Sequence, residues 1–151
     1  MTTGFMHPRF AMLGLFIATC VFGSSAQLAS ARQDNPSSAN NPNWNYEEIK
    51  KAPEKARLMR NPFENDSDAL RAGGKLFERN CAGCHGMKGE GRKKAPSLIR
   101  DEVQQATPGA LFWVLTNGVV WHGMPVWSKL PEPQRWQVVM FLKSLGVSTR
   151  P

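Results

Sequence analysis

The sequence predicts an all-α domain built on three main helices. Three stretches place apolar residues every three to four positions, each between a capping residue or proline and a stop. No stretch alternates apolar and polar residues as a half-buried strand would. The part able to fold is about 80 residues long, near the size where a core of side chains alone suffices and small domains recruit a staple.

The first helix starts at Ser67, a good N-cap residue. Ala69, Leu70, Gly73, Leu76 and Phe77 follow at helical spacing, and Asn80 is a plausible stop. Gly73 and Gly74 weaken a helix interior, so close approach of another helix is the expected reason for them. Residues 83–98 read as loop, rich in Gly, Lys and Arg. The second helix is capped by Thr107, opens on Pro108, runs to about Thr116 and closes at Asn117-Gly118. Leu111, Val114 and Leu115 form its apolar stripe, broadened by Phe112 and Trp113. After a loop over 119–130, the last helix starts at Pro131 or Pro133 and runs to Leu145, with Gly146 as terminator. Its stripe is Val138, Phe141, Leu142 and Leu145.

Residues 1–31 read as a secretory signal peptide. Arg9 precedes an apolar run from Phe10 to Phe22, shorter than the roughly 20 residues that span a bilayer. Ala29-Ser30-Ala31 is an A-x-A cleavage pattern, and cleavage is expected after Ala31. The mature chain would then be periplasmic or secreted; an uncleaved segment would anchor it to a membrane instead. Cleavage also removes Cys20, which accounts for the odd total of 3 cysteines. Residues 32–66 are polar and punctuated by Pro and Asn, and read as a flexible arm on the domain surface, with one or two helical turns over Glu54–Arg60. The compact domain is assigned to 67–149.

Cys81-Ala82-Gly83-Cys84-His85 carries the chemistry. This is the haem c attachment pattern. Two thiols can add across the two vinyl groups of one haem, and two small intervening residues let both sulfurs reach one ring edge. The following imidazole then lies under the iron. A thioredoxin-like pair would need a βαβ pattern, which is absent. A zinc site would need a second ligand pair, and after His85 there is no cysteine and one histidine, His122.

The segment from Gly73 to Leu145 resembles the class I cytochromes c, most of all the small bacterial monohaem cytochromes associated with oxidases and quinoprotein dehydrogenases. The resemblance rests on Gly73-x-x-x-Phe77, the Cys81–His85 motif, Ala95-Pro96-Ser97-Leu98, Asn117-Gly118, Gly123-Met124-Pro125-Val126-Trp127 and the last aromatic helix. It implies the class I fold, three main helices around one covalently bound haem. His85 and Met124 would be the axial metal ligands, with His122 as the rival to Met124. A His/Met pair raises the potential relative to two histidines. The Pro96 carbonyl would accept the Nδ1 proton of His85, and Leu98 would pack on the ring. Trp121 and Trp127 would flank the distal ligand, either donating to haem propionates or packing as apolar walls. Gly73 and Phe77 would cross the last helix near Trp136 or Phe141.

The function expected is one-electron transfer, not enzymatic catalysis. No general base, nucleophile or substrate pocket stands out. Two rivals are a haem enzyme or gas-binding protein with an open sixth position, and an electron-transfer subunit held in a membrane oxidase or periplasmic dehydrogenase complex. The expected partners are redox proteins, met by a monomer or a complex subunit, with transient membrane-complex association as a further expectation. The chain carries a formal +7, and Lys88, Arg92, Lys93 and Lys94 cluster near the haem motif as either a solvated loop or a docking patch for an acidic partner. Nucleic acid is not expected as a partner.

Overall fold

The computed structural model describes residues 46–93 and 95–146. The expected signal peptide, its cleavage point, residues 32–45, Lys94 and residues 147–149 lie outside the described residues.

Two single-turn helices come first, α1 (Glu47–Lys50) and α2 (Glu54–Arg57). α2 forms where helical turns were expected but ends at Arg57, short of Arg60; Pro53 sits at its cap, and its one buried residue is Ala56. The first long helix is α3 (Ser67–Asn80). Its cap is Asp66, not Ser67: the Asp66 carboxylate accepts from the Asp68 and Ala69 amides at 2.8 and 3.0 Å. Both residue types cap well, and the charged one also meets the positive end of the helix. α3 buries Ala69, Gly73, Leu76 and Phe77, the predicted stripe without Leu70.

At Cys81 the backbone leaves helical geometry, and the single turn α4 (Ala82–His85) carries the rest of the motif. A long loop follows, then the single turn α5 (Asp101–Gln104), for which the sequence carries no expectation, and α6 (Pro108–Asn117). The Thr107 hydroxyl accepts from the Ala110 amide at 3.2 Å and caps α6 as expected. Gly118 ends it at φ 68°, a backbone conformation that glycine adopts without strain. A 3-10 turn spans Val120–His122, and α7 (Glu132–Leu145) closes the domain. Gly146 follows α7 at φ −73°, so it is not a left-handed terminator. Among the described residues there is no strand, only two isolated bridges, Arg92 with Ala95 and Val119 with Met124.

α3 and α7 cross in backbone contact. A Cβ at Gly73 would collide with the Gln137 carbonyl and lie 3.2 Å from the Phe141 Cβ, so only glycine permits this approach. One turn on, Phe77 packs on Phe141 with ring centroids 5.1 Å apart. The crossing therefore falls at Phe141. Trp136 instead stacks on Phe112 of α6, 4.0 Å between centroids and 16° between planes. These rings, with Leu76, Leu111, Val138, Val139 and Leu142, form the core.

The segment read as an arm is tied to this core in its described part. Asn61 is buried; its amide donates to the Trp136 carbonyl at 2.9 Å and its side-chain oxygen accepts from the Phe63 amide at 3.0 Å. A buried amide satisfied on both sides fixes the chain where it passes α7.

Candidate haem site

Between α1, α3, α4, α6, α7 and the two long loops lies an apolar cavity of about 220 Å³. Cys81, Cys84 and His85 line it from one side. Met124, His122 and Trp127 line it from the loop before α7, while Pro96 and Leu98 come from the loop after α4. Eight of the nine haem-site candidates named from sequence, His122 included, thus share one cavity. Trp121 does not line it: its ring is 69% exposed, with the Lys51 ammonium 5.5 Å from its centroid. Val119 and Met124 bond each other's backbone at 3.0 and 3.2 Å, so residues 120–123 form the tip of a closed turn. Proximity in sequence to Met124 placed Trp121 at the cavity; the turn projects it away.

His85 is held by its own motif. Its amide donates to the Cys81 carbonyl at 2.9 Å, and its carbonyl accepts from the Gly91 amide at 2.7 Å. Its Nδ1 lies 2.9 Å from the Pro96 carbonyl, the contact expected from sequence. A carbonyl only accepts, so Nδ1 carries the proton and Nε2 keeps its lone pair. Burial pushes the imidazole's pKa down, and the bond to Pro96 offsets part of that. Burial thus favours a neutral ring, the form that ligates a metal, while the Pro96 bond sets which nitrogen carries the proton.

Burial, followed by the neighbouring Cys84, pushes the Cys81 thiol up to about 11. Among the described residues no group of three or more His, Cys, Asp or Glu side chains could hold a metal ion, which tells against the zinc reading. The two sulfurs are not bonded to each other.

These residues fit a haem. Two thiols and an imidazole stand at one wall, a thioether sulfur lines another, and the lining between is largely aliphatic. A domain this size packs its interior closely, so an apolar hollow of this volume marks a place for a large apolar group.

Three lining residues have no signal in the sequence: Tyr46, Glu48 and Ile49, from the stretch read as an arm. Tyr46 donates its hydroxyl to the Ser97 carbonyl at 2.9 Å. The segment is too short and too polar to show a helical period, so nothing in its pattern marks it as a wall.

No curated protein and no solved structure matches the chain. Residues 68–142, about half of it, match the model of the family described as Cytochrome C oxidase, cbb3-type, subunit III. The cavity, the thiol–imidazole motif at its wall and this match agree: the chain carries an all-α c-type cytochrome domain, whose chemistry is haem-based electron transfer.

Proposed function

We propose that the protein is a periplasmic or secreted one-electron carrier, exported by a cleaved signal peptide and holding one haem c. Cys81 and Cys84 hold it through thioether bonds, and His85 and Met124 are its axial ligands. The observation that carries this reading is the one cavity lined by Cys81, Cys84, the half-buried His85 and Met124.

When bound, haem c supplies a one-electron iron couple. The chain's own residues do the rest. Cys81 and Cys84 tether. The Pro96 carbonyl holds the Nδ1 proton of His85, which turns the Nε2 lone pair into the cavity and raises its basicity. The apolar lining excludes water and leaves the ligands little room to rearrange between oxidation states. Lys88 and Lys93 are exposed on the loop beside the motif, a position suited to steering an acidic redox partner.

Two observations keep alternatives in play. His122 lines the same cavity, so it is the competing distal ligand. The matched family is described as an oxidase subunit, which favours a complex-bound carrier as the second reading. A reduced pyridine haemochrome spectrum with intact mass, on protein from a host able to attach haem c, tests the first reading. One haem, two thioethers and a mass beginning at Arg32 are expected. Colourless protein with free or mutually bonded thiols sinks it. Proteins that co-purify from the native source separate the free carrier from the subunit.

A further inference from the structure

We propose that Tyr46, on the segment preceding the matched domain, is a positioning residue for the His85 ligand, holding the Pro96–Ser97 peptide against the imidazole. This rests on the reading of His85 as the iron ligand.

The loop that receives the His85 proton is held carbonyl by carbonyl, each by a different element. Pro96 O accepts from His85 Nδ1 at 2.9 Å. Ser97 O accepts from the Tyr46 hydroxyl at 2.9 Å. Leu98 O accepts from Gln104 Nε2 at 2.7 Å, and the Leu98 amide donates to Gly89 O at 2.7 Å. Pro96 and Ser97 are covalent neighbours, so rotating the Pro96 carbonyl off the imidazole drags the Ser97 carbonyl off the phenol. Ser97 is 1% exposed, so its carbonyl has little access to water as a replacement partner. Burial, and after it the charge of Glu102, raises the Tyr46 pKa, so the phenol stays a donor well above neutral pH.

Tyr46 opens a short strap across the cavity. Glu48 and Ile49 line the cavity beside it, and Lys51 at the far end lies 5.5 Å from the Trp121 ring on the distal turn. The strap therefore meets both loops that carry candidate ligands. Its lever on the proximal side is specific. A firm bond from Nδ1–H to a carbonyl makes the imidazole a stronger donor, favours ferric iron and lowers the potential.

The test is Tyr46→Phe in the haem-loaded protein, with Asn61→Ala as the comparison. Asn61→Ala cuts the bond from the same segment to the Trp136 carbonyl, and Asn61 does not line the cavity. Tyr46→Phe should raise the midpoint potential. It should also speed solvent exchange of the His85 Nδ1 proton in the ferrous protein about five- to tenfold, the population change that losing one ordinary hydrogen bond brings. Asn61→Ala should lower Tm and leave both readouts at the wild-type values. If either readout is unmoved in Tyr46→Phe, or if Asn61→Ala moves them equally, the positioning role is overturned. Failure of the underlying ligand assignment would be seen separately: wild-type His85 ring protons would lack the ring-current displacement that seating on a haem produces.

Discussion

The two walls of the cavity are held in different ways. The loop after His85 is bonded outward, to the strap through Tyr46, to α7 through Gln104, which also donates to the Leu142 carbonyl at 3.0 Å, and to the motif through Gly91. The turn around Met124 is bonded largely inward: Val119 with Met124, His122 to Val119, Gly123 to Val120. Its backbone tie to the core is the Trp127 amide on the Leu115 carbonyl, at 3.2 Å. Burial follows the same division, with Ser97 1% exposed against 62% for Val120 and 45% for Val126. A ligand whose support is shared among many elements moves only if they all move. A side chain on a self-contained turn can shift with that turn alone, so under the proposed ligand set the distal side is where ligation could be lost or exchanged without unfolding the domain.

The largest expected effect contrasts the walls directly. His85→Ala should leave no stable haem-loaded domain, read as loss of coloured, folded protein. Met124→Ala should keep its tethered haem, lose the weak sulfur-to-iron absorption band, bind carbon monoxide in the ferrous form and fall in potential. An unchanged spectrum and potential would remove Met124 as ligand, and His122→Ala would then be the variant expected to open the sixth position and bind carbon monoxide. Next, Gln104→Ala deletes a donor to both the Leu98 and Leu142 carbonyls and should cost about 1–3 kcal/mol in denaturant unfolding. No loss would show that the proximal loop needs less support than its bonds imply. The smallest effect belongs to Trp121→Ala, which should stay within about 0.5 kcal/mol of wild type, as exposed positions usually do. A larger loss would mean that the distal turn leans on the strap through Lys51.

Legibility in the sequence followed the strength of local signals. α3, α6 and α7 could be read because each is 10 or 14 residues long, enough to show a helical stripe, and their ends carry capping chemistry, Thr107 and Pro108 most clearly. The Cys81–His85 motif could be picked out because a fixed spacing, and not a period, marks it. The Pro96 contact came through the family resemblance; its position in the loop alone would not have shown it. α5 was hidden because a single turn has no period to detect. Tyr46 and Ile49 were hidden for a different reason: their contacts are with residues about 50 positions or more away, such as Ser97, and a polar neighbourhood masks them. Trp121 was misplaced because closeness in sequence to a ligand says nothing about which way a turn tip points.

α3 is a rod gripped at Gly73, and the attachment motif hangs from its end: the Cys81 amide still donates to the Phe77 carbonyl at 2.8 Å. From the grip to the first sulfur-bearing residue is eight helical steps, about 12 Å. A stiff rod passes a displacement on rather than absorbing it. Under the proposed haem attachment, the place of the redox centre is thus inherited from a remote crossing, and a bulkier side chain at residue 73 would be felt as a misaligned cofactor as well as a weaker fold.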